Sequence, residues 1–194
     1  KKAGIKPIIG CEVYVATGSR YDKNMGNPDG KYNHLVLLCQ NDVGYKNLIT
    51  MVSKGYTEGF YSKPRVDMEL LRYHSEGLIC LSGCLAGKIP SLLLRGEFDE
   101  AVRYAKELSG IFGKDNFYIE LQDHGLEEQK RTNPELIKIA RELDIKMIIS
   151  HDAHYLNKED WEMQDCLLCL YTNADIADPK RFRFPNHEFY IKSD

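Results

Sequence analysis

Short apolar runs alternate along the chain with longer stretches in which apolar residues recur every three or four positions. Pro7 to Val15, Leu35 to Cys39, Leu78 to Leu81, Phe117 to Leu121 and Met147 to Ser150 are rich in branched and aromatic side chains and bounded by turn residues. Each predicts a buried strand. A helical period runs over Tyr45, Leu48, Ile49 and Val52, over Ile89, Leu92 and Leu93, over Phe98 to Phe112, and over Leu136, Ile139, Ala140 and Leu143. Polar punctuation fits these bounds. Asn41 and Asp67 stand where N-caps belong, Asn133-Pro134-Glu135 offers a cap and a first-turn proline, and Gly55, Gly96 and Gly113 stand as stops. Asn157 to Leu170 predicts one more helix. Five strands alternating with helices predict parallel βα units, hence an α/β fold.

The two ends read differently. Lys1 to Lys6 resembles the close of a helix capped by Gly4, which predicts a chain cut from a longer one. Thr17 to Asn33, with its glycines, Asn27-Pro28 and Asp29-Gly30, is a surface excursion. Asp178 to Pro185 is extended, basic and aromatic, and reads as a connector rather than a core element.

Composition narrows the function classes. A net charge of −3, from 26 basic and 29 acidic residues, argues against holding nucleic acid by bulk electrostatics, although metal ions in a site would supply positive charge locally. No apolar run reaches bilayer length and no secretion signal opens the chain, so no membrane is involved and a cytoplasmic protein is expected. Of the six cysteines, Cys11, Cys39, Cys80, Cys166 and Cys169 lie in apolar surroundings, as buried thiols of a reducing compartment do. Cys166 and Cys169 have redox-motif spacing, but inside a helical apolar pattern with no basic neighbour.

Candidate chemistry gathers at strand ends. Glu12 is a lone carboxylate in an apolar run, and a buried carboxylate needs an ion pair, hydrogen bonds or a metal. His34 opens the second strand, Cys84 sits among glycines after the third, His124 follows the fourth, and His151, Asp152 and His154 follow the fifth. In a parallel barrel such ends converge on one face. A carboxylate, an imidazole, a thiol and an Asp-x-His pair are ligand types of a Zn, Mn or Fe site. The competing reading is a set of hydrogen-bonded histidines in polar loops, with Cys84 as a small residue in a tight turn.

Gly10-Cys11-Glu12, His34-Leu35-Val36-Leu37-Leu38, Gly44-Tyr45-Lys46-Asn47-Leu48, Leu81-Ser82-Gly83-Cys84-Leu85-Ala86-Gly87, Phe117 to Gly125 and Asp152-Ala153-His154-Tyr155 together resemble the PHP (polymerase and histidinol phosphatase) domain of the bacterial DNA polymerase III alpha subunit. The resemblance covers essentially the whole chain. It implies an incomplete, distorted (β/α)7 barrel whose first strands, with their His-x-His and Asp-His motifs, precede Lys1. It divides the chain into a partial barrel at 1–178 and a connector toward a polymerase palm domain at 179–194. Glu12, His34, Cys84, Asp152 and His154 match metal ligands, with Cys84 where phosphatase relatives carry histidine. His151 stands where the pattern has asparagine, and Gln164 where it has histidine. The intact family domain implies up to three divalent metals. This chain retains ligands for one, at Glu12, His34 and Cys84.

Two functions follow from the resemblance. One is a metal-dependent phosphoesterase giving 3′ to 5′ proofreading during DNA replication, with DNA and the other polymerase domains as partners and His124 or His151 as candidates for phosphate contact. The other is an inactive structural module that docks a proofreading exonuclease. A free-standing histidinol-phosphatase-like enzyme fits the basic-aromatic tail less well.

Overall fold

The computed structural model describes residues 2–23 and 32–193, so residues 24–31 of the excursion expected at 17–33 lie outside the described residues. Six strands, β1 (Gly10–Ala16), β2 (Tyr32–Cys39), β3 (Arg65–Val66), β4 (Leu78–Leu81), β5 (Phe117–Leu121) and β6 (Lys146–Ile149), form one open sheet in the order β3-β1-β2-β4-β5-β6. The helices are α1 (Asp42–Thr57), α2 (Met68–Tyr73), α3 (Lys88–Leu94), α4 (Phe98–Phe112), α5 (Glu127–Glu142) and α6 (Trp161–Thr172), the last entered through a 3-10 turn over Lys158–Asp160. The α/β class is as expected, with a sheet that is not closed. Among the described residues no helix is long and apolar enough to cross a membrane.

The sheet is not uniformly parallel. β4, β5 and β6 run parallel, as do β1 and β3, but β2 is antiparallel to both β1 and β4. The strands and helices do not alternate throughout: β1 and β2 are joined by the excursion at 17–33 with no helix among the described residues, a connection that suits antiparallel pairing. The consequence for the site is direct. Reversal brings the start of β2, where His34 lies, to the same end of the sheet as the loops that follow β4 and β6.

One face of the sheet is the core. Val13, Val15, Leu35, Leu37, Phe117 and Ile119 pack there against Leu48 and Met51 of α1, Ala105 and Leu108 of α4, and Leu136 and Ile139 of α5. Strand alternation sends Glu12, Tyr14, His34 and Glu120 to the opposite face. Asn41 caps α1 as expected, its side-chain oxygen accepting from Gly44 N–H at 3.0 Å. Asn41→Ala should cost about 1 kcal/mol in denaturant unfolding; a change of only a few tenths would mean that water replaces the cap without loss.

Several expectations are corrected. Lys2 to Ile9 contains no helix, and Gly4 lies in a turn at φ +74°. The first strand begins at Gly10 rather than Pro7. α5 begins at Glu127, so Asn133 is no cap and Pro134 lies inside the helix; Asn133 instead donates to Gln122 O at 3.0 Å. β6 is the sheet edge rather than a buried strand, leaving Ile149 78% exposed. Cys166 is exposed, while Cys11 and Cys39 are only partly covered.

Candidate metal centre

Antiparallel pairing of β1 with β2 sets Tyr14 opposite His34. Glu12, two residues before Tyr14, is therefore the diagonal neighbour of His34 on the open face. Its Oε1 lies 3.1 Å from His34 Nδ1. Glu12 is thus not the buried carboxylate that its apolar surroundings predicted: its side chain is 47% exposed, on the face opposite the helix-packed core.

Cys84 reaches the pair from the loop after β4. That loop is clamped to β2, with His34 N–H donating to Ala86 O at 3.0 Å and a bridge between His34 and Gly87. Gly83 lies at φ +85°, and a Cβ there would stand 3.0 Å from His34 O. The close approach and the left-handed backbone both call for glycine. Cys84 Sγ consequently lies 3.8 Å from His34 Nδ1, and one ligand atom from each of Glu12, His34 and Cys84 lies within 4.8 Å of the others. Hydrogen bonds to Cys84 first and Glu12 second raise the His34 imidazole to about 10. The cluster therefore favours positive charge at its centre. A carboxylate oxygen, an imidazole nitrogen and a sulfur at such separations suit one divalent ion with room for a further ligand.

Asp152 and His154 form a second pair, with Asp152 Oδ1 3.1 Å from His154 Nε2. Their hydrogen bond lowers the carboxyl pKa and raises that of the imidazole. His34 also lowers Asp152, and Glu12 also raises His154, so the two pairs interact electrostatically. Asp152 and His154 are nevertheless not within the compact three-residue cluster.

His124 is only 2% exposed and stacks on Phe189, with ring centroids 4.8 Å apart. Its Nε2 accepts from Asp152 N–H at 3.1 Å, and its Nδ1 lies 3.0 Å from Gln129 Nε2. Burial lowers its pKa, and its visible work is to hold the loop that carries Asp152. His151 is exposed beside it.

The C-terminal segment also reaches this end of the sheet. His154 N–H donates to Phe189 O at 2.7 Å, Phe184 packs on the His154 ring at 4.6 Å, and Asn186 donates to His124 O at 2.7 Å.

Glu120 went unnoticed in the sequence. It is 5% exposed and accepts from Gly83 N–H at 3.1 Å, from Gln122 Nε2 at 3.2 Å and from the Ser150 hydroxyl. The signal was available, since Glu120 is a single carboxylate inside an apolar run, as Glu12 is.

Comparison with known proteins places the chain in a family. The profile of the PHP domain matches residues 1–124. The DNA polymerase III subunit alpha of Treponema pallidum is 50% identical over 190 residues, which cover 98% of this chain and 16% of that protein. The proteins of the same name from Thermus aquaticus and Borreliella burgdorferi are 47% and 45% identical over 191 and 193 residues, covering 98% and 100% of this chain. The chain spans only 16% to 17% of the length of these relatives. With a matched profile over most of its length and a Glu-His-Cys cluster on the open face of its sheet, the chain belongs to the PHP domain family.

Proposed function

We propose that the chain is the PHP domain of a bacterial replicative DNA polymerase and that it serves there as a metal-dependent phosphoesterase, removing nucleotides 3′ to 5′ during DNA replication in the cytoplasm. The observation that carries this reading is the convergence of Glu12, His34 and Cys84 within 4.8 Å. Three such donors fit Zn, Mn or Fe. A divalent cation held by them supplies Lewis acidity toward a phosphodiester. Glu12 and Cys84 bring negative or polarisable donors, and His34 gives up its proton to bind. Asp152, held by His154 and by the His124 ring, faces the same space and orients what enters it. His151, exposed at the rim, is available to a phosphate.

A second reading has its own observation. Met147 and Ile149 of β6 and Leu167, Leu170 and Tyr171 of α6 are exposed apolar side chains. They suit a module that packs against other polymerase domains or a separate exonuclease.

Full-length protein purified without chelator should carry about one Zn, Mn or Fe at this three-ligand site. It should shorten single-stranded DNA from the 3′ end, and Cys84→Ser should lose both metal and hydrolysis. Plasma mass spectrometry and a 5′-labelled oligonucleotide provide the readouts. Well-folded protein without metal would overturn the metal reading. Metal without hydrolysis would favour the packing module.

A further inference from the structure

The ligand-bearing loops belong to strands that are not neighbours. Cys84 follows β4 and Asp152 follows β6, with β5 between them. Strands two apart in a sheet are separated by about 10 Å, and although the Cys84 loop is clamped to β2 and the Asp152 loop to His124, neither of those contacts ties one loop to the other. Ligands of one cation or one phosphate cannot drift. Something has to set the spacing.

We propose that Glu120, on the middle strand, is the positioning residue that fixes it. The inference rests on the metal-site reading above, which supplies its purpose. Glu120 lies one residue before the end of β5, on the face that carries His34. Its Oε2 accepts from Gly83 N–H at 3.1 Å, immediately before Cys84. Its Oε1 accepts from the Ser150 hydroxyl, two residues before Asp152, and from Gln122 Nε2 at 3.2 Å. Gln122 Nε2 also donates to Ser150 Oγ at 3.2 Å, closing a small ring of bonds on the β6 side. On the β4 side the Glu120 N–H donates to Ser82 Oγ at 2.9 Å, so strand and loop are tied twice. One carboxylate thus spans the sheet with an oxygen for each loop. In each of these side-chain hydrogen bonds the carboxylate accepts, and a carboxylate can satisfy donors on both oxygens at once.

An amide can do so only by reversing one bond. In Glu120→Gln the oxygen can keep Gly83 N–H, but the NH2 then holds Ser150 only if that hydroxyl turns from donor to acceptor, and it meets Gln122 Nε2 donor to donor, so the tie to the β6 loop is weakened. Glu120 touches no reacting atom in this arrangement. Its effect is transmitted through the positions of Cys84 and Asp152, as outer hydrogen bonds orient metal ligands in other sites.

The test uses the full-length protein, its Glu120→Gln variant and, as a milder probe, Ser150→Ala. Hydrogen exchange of metal-free protein reads the loops directly. In Glu120→Gln exchange should accelerate in peptides covering Ser82–Gly87 or Ser150–Tyr155 while the core of α4 stays protected; in Ser150→Ala only the second peptide should move. Cobalt(II) titration reads the site. Glu120→Gln should bind cobalt about 10 to 100-fold more weakly, with an altered thiolate-to-cobalt charge-transfer band, a change that a uniform loss of stability would not produce.

Unchanged exchange in both loops of a folded Glu120→Gln protein would overturn the proposal. So would a cobalt affinity and spectrum equal to the parent's. If Glu120→Gln fails to fold, Ser150→Ala decides: selective loosening of Ser150–Tyr155 supports the tether, and none overturns it. If the parent itself binds no cobalt, the metal-site reading falls, and the exchange result alone decides whether Glu120 ties the two loops.

Discussion

Replacing His34 by alanine should take bound metal from about one ion per chain to none detectable, the largest functional effect expected of any single change. Nδ1 of His34 is the atom on which the cluster centres, 3.1 Å from Glu12 Oε1 and 3.8 Å from Cys84 Sγ. Without it, two donors remain, one on β1 and one in the loop after β4, no longer linked. Glu12→Gln should lose less, because an amide oxygen still offers a lone pair. A competition titration with a coloured chelator measures both. The pH dependence has a defined sign. Hydrogen bonds to Cys84 and Glu12 favour the protonated imidazole, so metal must displace a proton, and apparent affinity in the parent should rise as pH increases through neutrality. A His34→Ala protein that retains one tightly held ion would show that the cluster is not the metal site.

Arg20→Ala should give the largest loss of stability. The guanidinium side chain is 6% exposed, and Asp67, at 4%, accepts from its Nη1 at 3.0 Å. Glu58 and Glu69 complete the surroundings at 2.7 and 2.8 Å. Removing one member of a buried ion pair typically costs about 3 to 5 kcal/mol. The lower end is expected here. Asp67 keeps two backbone donors, Arg20 N–H at 2.9 Å and Leu70 N–H at 3.1 Å, which limit the penalty of its stranded charge. Denaturant unfolding of Arg20→Ala, Asp67→Asn and the double variant separates the pair from its surroundings. A loss below about 1 kcal/mol would place this network among surface ion pairs.

What the sequence makes legible here is local. β4 and β5 coincide with their apolar runs, and Asn41 and Asp67 cap helices because their side chains fall where free N–H groups need acceptors. Non-local features do not show. β3 is two residues long, too short for a period. The edge position of β6 depends on what pairs with it, which its residues do not encode. Glu127 to Thr132, the first turns of α5, are almost wholly polar, so Asn133-Pro134 looked like the start. Buried Gln129 and Thr132 are satisfied by His124 and by the helix backbone rather than by apolar contact.

The site shows the same division. Glu12, His34 and Cys84 were identifiable by residue type and by resemblance, and they meet in the structure. Glu120 and Glu12 carry the same sequence signal but have opposite environments, since one is enclosed between two loops and the other faces open space. Only the three-dimensional arrangement separates them.

The reversed strand has a final implication. β1 and β2 form an antiparallel pair, whereas β4, β5 and β6 form a parallel block, and the two meet along the β2–β4 seam. Glu12 and His34 belong to one unit and Cys84 to the other. An ion held by all three would be a cross-link over that seam, formed only after both units have docked. Metal supply would then act as a folding ligand, adding about 2.7 kcal/mol when free ion is a hundredfold above its Kd. Starvation for that ion would remove this cross-link and the stability it adds.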